Sequence, residues 1–271
     1  MPELPEVETT RRGLLPHLEG QTIRTVVIRN GQLRWPVPKQ LARLVAGRRI
    51  ERLERRSKYL LLDCGSGWII MHLGMSGSLR VLPDGVPPGD HDHFDLVLDS
   101  GKVLRLHDPR RFGAVLWERG DPSSNKLLRN MAPEPFDAKF DADWLLRRTR
   151  GRSASIKNVL MDNHIVCGVG NIYASEALFR AGIHPARPAG RISRERYVRL
   201  IEAIRETLQA AITAGGSTLR NFVDANGNPG YFQQTHLVYD RAGEPCRRCG
   251  APIKTLRLGQ RSAFYCGRCQ R

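Results

Sequence analysis

The chain reads as a two-domain α+β protein. Three features carry this reading. Short strand-like segments run from Thr22 to Glu118, the periodicity turns helical after Met131–Pro135, and four cysteines stand at C-x2-C-x16-C-x2-C spacing near the C-terminal end. At roughly 100–200 residues per domain, 271 residues suggest about two domains. Hydrophobic residues at 41% and charged residues at 26% are ordinary for a folded chain, so disorder over most of the length is excluded.

In chain order, residues 5–18 suit a short helix, with Val7, Leu14 and Leu18 near helical spacing. Strands are predicted at 22–29, 49–63, 67–73, 77–82, 93–98, 102–107 and 113–118. Asp99-Ser100-Gly101 is a hairpin turn between two alternating runs, and Pro83–Gly89 is a Pro- and Gly-rich loop. Seven short strands separated by Gly and Asp turns suggest an antiparallel sandwich. Met131–Pro135 reads as the linker. Beyond it, Trp144–Thr149, Ile156–Asn163 and Asn171–Ala181 are candidate helices, the last ended by Gly182. Ser193 can N-cap a long helix with Tyr197, Ile201, Ile204, Leu208 and Ala211 as its apolar stripe, and Gly215-Gly216 can end it. Cys167-Gly-Val-Gly-Asn171 allows a tight turn able to approach a phosphate, and Gly227–Tyr231 reads as a loop. The expected domains are 1–130, a linker at 131–135, 136–235, and a metal-bound module at 236–271.

The chain carries 43 Lys+Arg against 27 Asp+Glu, a net charge of +16. Such a balance needs an acidic partner, either a polyanion or a membrane surface. Arginine outnumbers lysine 36 to 7, which favours nucleic acid because guanidinium forks match phosphates. No apolar run of about 18 residues exists, so a transmembrane helix is excluded. MPELPEVETTRR lacks the apolar core of a signal peptide, which makes a soluble intracellular protein the default.

Cys246, Cys249, Cys266 and Cys269 have the spacing of a tetrahedral zinc site, the alternative being two disulfides. Residues 246–271 hold seven basic groups and no acid. A segment this short cannot bury a core alone, so one structural Zn²⁺ would supply its folding energy and fix the basic groups for phosphate contact. Cys64 and Cys167 read as structural thiols.

Pro2 is the most reactive candidate. Removal of the initiator methionine would leave a free secondary amine. An α-amino group titrates near 7.7–8.0, so at neutrality it holds roughly a few-hundred-fold more neutral amine than a lysine. A secondary amine on a sugar's anomeric carbon ends as an iminium ion, a standing electron sink for elimination. Glu3 and Glu6 lie close by in sequence as acid/base candidates.

MPELPEVETTRRGL resembles the start of the formamidopyrimidine-DNA glycosylase family, bacterial enzymes that remove oxidised purines. RRSKYLLL (55–62), WIIMHLGMSGSLR (68–80), HDHFDL (91–96), DPRRFG (108–113), MDNHIVCGVGNIYASEALF (161–179), PGYF (229–232) and QRSAFYCGRC (260–269) resemble further family motifs, in family order. The resemblance implies an N-terminal helix plus β-sandwich, a helix–two-turns–helix domain and a four-cysteine zinc-finger hairpin. It also implies a bifunctional glycosylase and abasic-site lyase acting on damaged double-stranded DNA, cytoplasmic and nucleoid-associated, for which a monomer is adequate.

Roles follow by position. Pro2 would be the nucleophile, Glu3 the acid/base that helps open the sugar, and Lys58, in a strand, the proton donor in β-elimination and a phosphate ligand. Arg261 would reach the lesion-flanking phosphate and assist δ-elimination, with His72 and Asn171 pinning the same bent backbone. Met75, Arg110 and Phe112 would fill the gap left by the extruded nucleotide. Such extrusion costs a few kcal/mol, and an apolar wedge with a bidentate Arg can offset part of it. His91 and Arg152 would be further DNA contacts, and Lys157 lies near the same surface. The linker departs from the family in reading Asn-Met-Ala-Pro-Glu-Pro where Leu-Gly more often precedes Pro-Glu-Pro. The base-pocket loop, roughly Ser217–Tyr231, has a variable middle.

Two alternatives stay open. The sister, endonuclease VIII-like branch prefers oxidised pyrimidines, but it typically departs at the void-filling trio. A non-catalytic zinc-finger DNA-binding protein would explain the charge and the cysteines, but not Pro2-Glu3 with Lys58 and Arg261.

Overall fold

The computed structural model describes residues 2–216 and 236–271. They separate into two compact units: the chain up to Arg129 with Ala214–Gly216, and Asn130–Thr213 with the described C-terminal segment. The base-pocket loop and the PGYF motif lie outside the described residues. Among those described, no helix is long and apolar enough to cross a membrane.

The first unit opens with α1 (Leu4–Leu18). A proline in its first turn, and Glu6 beside the positive end of the helix dipole, start it well. Leu4, Val7, Leu14 and Leu18 are its buried face. Eight strands follow: β1 (Ile23–Ile28), β2 (Arg52–Arg56), β3 (Tyr59–Asp63), β4 (Gly67–His72), β5 (Ser78–Pro83), β6 (Asp92–Leu98), β7 (Lys102–His107) and β8 (Ala114–Arg119). They form two four-stranded antiparallel sheets, ordered β1-β6-β7-β5 and β2-β3-β4-β8. Alternate residues of both sheets, among them Leu60, Leu62, Ile69, Met71, Phe94, Leu96, Leu104 and Leu106, meet with Leu14 and Leu18 in one core. This is the predicted sandwich.

Two local details differ from the sequence reading. The strand expected at 49–63 is a hairpin, because Ser57 takes a positive φ of 58° and the chain reverses at Ser57-Lys58. The turn residues are Ser-Lys rather than the usual Asn-Gly, so turn chemistry gave no signal. A short helix, α2 (Leu41–Val45), occupies a span without a sequence assignment; it buries Leu41 and Val45 in the same core.

The second unit is helical, then hairpin. Its helices are α3 (Ala142–Thr149), α4 (Ile156–Leu160), α5 (Asn171–Arg180) and α6 (Arg194–Thr213). Asp141 caps α3 by accepting the Trp144 N–H at 2.6 Å. Helix α4 stops before the predicted 163 because Asp162 accepts the His164 N–H at 2.9 Å, a local turn that competes with the helix. The predicted stripe of α6 is buried throughout. Strands β9 (Ile253–Leu258) and β10 (Arg261–Cys266) pair antiparallel around a two-residue turn. This hairpin rests on α5: Phe179 packs with Val238, Cys246, Ile253 and Cys266.

Candidate active site and zinc centre

In the first unit, Pro2 is buried and Glu3 is the N-cap of α1, only 2% exposed. The Glu3 N–H donates to Glu6 Oε2 at 2.7 Å, the return half of a capping box, so the chain just after Pro2 is held by its own helix. Glu6 is fully buried and acts here as a positioner of the terminus.

Lys58 sits in the β2–β3 turn, not in a strand as expected, and is 8% exposed. Across β3–β4, Tyr59 faces His72 with ring centroids 4.7 Å apart. Burial pushes the His72 imidazole down to about 4, and the positive charges of Lys58 and Arg34 push the same way. His72 is therefore neutral at physiological pH. Its Nδ1 faces the Gly74 N–H at 3.0 Å and must accept, which leaves the ring proton on Nε2, free to donate to an anion.

The trio Met75, Arg110 and Phe112 stands on two neighbouring turns. Phe112 is 40% exposed and the Arg110 guanidinium lies 4.8 Å over its ring, so this phenylalanine is not core. Met75 is half-buried. His91 is exposed, with its ring 5.9 Å from that of His107.

In the second unit, Asn171 is the first residue of α5, and Gly170 supplies the N-cap. Asn171 Oδ1 accepts from Lys157 Nζ at 2.5 Å, which turns its amide NH₂ into the free end. Lys157 is fully buried and also donates to Ser262 O at 2.6 Å. Its ammonium is buried because it ties α4 to α5 and to the finger strand, next to Arg261. Arg261 itself is exposed at the start of β10, and Arg152 is exposed on a separate turn. Lys157 carried no signal as a bridge, since its two partners are 14 and 105 residues away.

The four finger cysteines bring their Sγ atoms within 4.8 Å of one another. Cys246–Cys269 and Cys249–Cys266 lie at 3.9 and 3.5 Å. A tetrahedron with Zn–S bonds of about 2.3 Å has edges of about 3.8 Å, which this cluster matches. Disulfides need about 2.05 Å, so that alternative fails. The donor set of four thiols suits one structural Zn²⁺. Glu176 of α5 accepts the N–H groups of Leu237, Val238 and Tyr239 at 2.8–2.9 Å, and Gln270 links Cys266 N–H to Ile183 O, so the module is anchored to α5 at one end and to the segment just after it at the other. Cys64 is buried, and burial pushes its thiol up to about 12, as befits an inert structural residue.

Three family models match the chain: the formamidopyrimidine-DNA glycosylase N-terminal domain over residues 1–115, its H2TH domain over 131–223, and a zinc finger found in FPG and IleRS over 243–271. The chain belongs to the formamidopyrimidine-DNA glycosylase family. Family relatives include the formamidopyrimidine-DNA glycosylases of Syntrophotalea carbinolica, 57% identical over 271 residues, and Cupriavidus pinatubonensis, 58% identical over 283, each covered at 100% with 100% of this chain. Among solved structures, MutM (Fpg) of Thermus thermophilus aligns with a TM-score of 0.89 at 40% identity, covering 99% of this chain and 98% of that one. Lactococcus lactis Fpg, in a complex with DNA containing an abasic site, aligns at 0.91 and 33% identity with both chains covered at 100%. The likeness to these relatives thus runs over essentially the whole chain.

Proposed function

We propose that the chain is a bifunctional DNA glycosylase and abasic-site lyase of base excision repair that removes oxidised purines such as 8-oxoguanine and formamidopyrimidines. The observation that carries this is the buried Pro2-Glu3 pair at the head of α1, in a chain whose curated relatives are glycosylases at 57% identity over its full length. Its partner is damaged double-stranded DNA; solved relatives were captured on abasic-site and 8-oxoguanine DNA.

The chemistry follows from the residues. The amine of Pro2 attacks the anomeric carbon, the damaged base leaves, and the amine's proton is lost. Glu3 protonates the ring oxygen as the sugar opens, giving an iminium ion. Loss of a proton from the adjacent carbon expels the 3′ phosphate, and a second elimination expels the 5′ phosphate. We assign Lys58 to proton delivery in the first elimination and Arg261 to the second phosphate. His72 through its Nε2–H and Asn171 through its amide hold the backbone, with His91 and Arg152 as further contacts. Met75, Arg110 and Phe112 occupy the vacated stack. Residues 1–130 carry the nucleophile and residues 136–271 the phosphate-binding helices and finger. Cys246, Cys249, Cys266 and Cys269 would hold a Zn²⁺ whose binding energy would make the finger rigid. A bacterial cytoplasmic site of action, at the nucleoid, completes the reading.

Borohydride trapping tests this. With a duplex carrying 8-oxoguanine opposite cytosine, the expected product is a covalent protein–DNA adduct mapping to Pro2. No adduct from a chain with a verified proline terminus would overturn the Schiff-base mechanism. The pyrimidine-preferring alternative is tested by the same assay with an oxidised-pyrimidine duplex, which should trap more slowly.

A further inference from the structure

The residues that enter the duplex need a support, and the structure supplies an unusual one. Arg110, Arg111 and Phe112 are all exposed, so no apolar anchor holds their turn. What they share is Asp108, fully buried between β7 and the turn. Its Oδ2 accepts the Gly113 N–H at 2.7 Å and its carbonyl accepts the Arg111 N–H at 3.1 Å, closing the turn at both levels. Its own N–H donates to His91 O at 2.9 Å, and its carbonyl faces His93 Nε2 at 3.0 Å. Arg111 adopts a positive φ of 55°, which a free chain disfavours.

The same turn is pressed onto the one bearing Met75. A Cβ on Gly74 would lie 2.4 Å from the Phe112 carbonyl carbon, and one on Gly113 would lie 2.8 Å from His72 O and 2.9 Å from Asp108 Oδ2. Displacing Asp108 therefore displaces Gly113, and with it the seat of Phe112, Met75 and His72. The other carboxylate oxygen, Asp108 Oδ1, is buried without a well-aligned hydrogen bond, and the backbone N–H groups of Arg110 and Arg111 lie against the same carboxylate. A buried carboxylate is costly unless N–H groups face it, so the turn is favoured that brings these N–H groups in. Burial pushes this carboxyl above its usual range, while the Gly113 N–H, His93 and the nearby N–H groups of Arg110 and Arg111 pull the other way.

We infer that Asp108 is the positioning residue of the DNA wedge: Oδ2 holds the turn through Gly113, and the same carboxylate draws in the backbone N–H groups of Arg110 and Arg111, so that the wedge is set before it meets DNA. This rests on the reading that Met75, Arg110 and Phe112 replace an extruded nucleotide. It extends that reading to a residue that touches neither DNA nor the reacting sugar.

Two variants separate the two oxygens. Asp108→Asn keeps an acceptor for Gly113 but replaces the second oxygen with a donor. Asp108→Ala removes both. Hydrogen exchange on the free protein should show the Gly113 amide retained by Asp108→Asn and deprotected about tenfold by Asp108→Ala, as expected for loss of one buried hydrogen bond. In both variants, the ratio of kcat/KM on a duplex with 8-oxoguanine opposite cytosine to trapping on a single-stranded abasic oligonucleotide should fall at least about fivefold. Their preference for cytosine over adenine opposite the lesion should fall with it. An unchanged ratio in Asp108→Asn, or unchanged Gly113 exchange in Asp108→Ala, would overturn the inference. So would equal losses on both substrates accompanied by a lower Tm. A wild-type chain that traps neither substrate would instead sink the glycosylase reading, while the exchange measurement would still judge Asp108.

Discussion

A histidine next to a lysine is a residue-scale example of how burial sets chemistry. His72 is held neutral because charging it would leave an imidazolium beside Lys58 and Arg34 in a partly dry site. Its folded value is depressed, so its contribution to stability is present above about 6.5 and is lost as the pH falls toward about 4. An NMR titration should therefore show the His72 ring unprotonated from pH 8 to 5. A midpoint near 6.5 would contradict the burial-depressed imidazole assigned here. Backbone space is just as restrictive at Gly74. It combines a φ of +65° with a Cβ position 2.4 Å from backbone, so Gly74→Ala should cost roughly 2–4 kcal/mol in chemical denaturation. The identities of these residues are plain in the motif HLGMSG, but their constraint is not. The glycine's neighbour is Phe112, far along the chain, and the motif is silent about it.

Elements are held by groups that do no chemistry. On α1, Glu8 accepts from Arg11, Arg12 and Arg55 at 2.8–3.0 Å. Burial alone would raise its carboxyl, but the hydrogen bonds and charges of Arg11, Arg12 and Arg55 outweigh burial and hold it down at about 2. A depressed carboxylate stabilises the fold above about 4.5, and the gain disappears as the pH falls through about 2. Glu8→Gln should thus cost about 3 kcal/mol at pH 7, with the gap to the parent closing between those two values in urea titrations. Since α1 positions Pro2, the variant should also slow borohydride trapping. At this scale the sequence was informative where periodicity is strong. The helix at the N-terminus, the stripe of α6 and the β6–β7 hairpin all lie where their patterns put them. It failed at Ser57-Lys58, where a positive φ in a polar run folds one expected strand into two. It also failed at α2, whose five residues are too few to display a period.

For the whole molecule, the distribution of charge matters more than its total. Seven basic groups crowd the last 26 residues, and the four-cysteine cluster is what gives that segment a shape. Cys249→Ser should lose the bound zinc, read by metal content, and weaken DNA binding at least about tenfold, because the finger's folding energy comes mainly from the metal. Full affinity in a zinc-free variant would show that the finger is not a docking element. Binding to duplex DNA should also weaken by roughly a hundredfold or more between 50 and 200 mM salt through counterion release. A flat response would contradict phosphate contact as the source of affinity.

The sequence by itself determined the order of elements, the alternation that builds the sandwich, the four thiols of the zinc centre and the place of the proline proposed as nucleophile. All of these are local along the chain, set by period, spacing or the chemistry of a single residue. Only the tertiary structure decided which polar groups meet. It buried Lys157 between Asn171 and the finger, placed Lys58 on a turn near His72, and set Asp108 under the turn of Arg110 and Phe112 with the Gly113 N–H on its carboxylate. These meetings join residues distant in sequence, at sites where the cost of burying charge is met by a particular partner. No pattern along the chain records that partner.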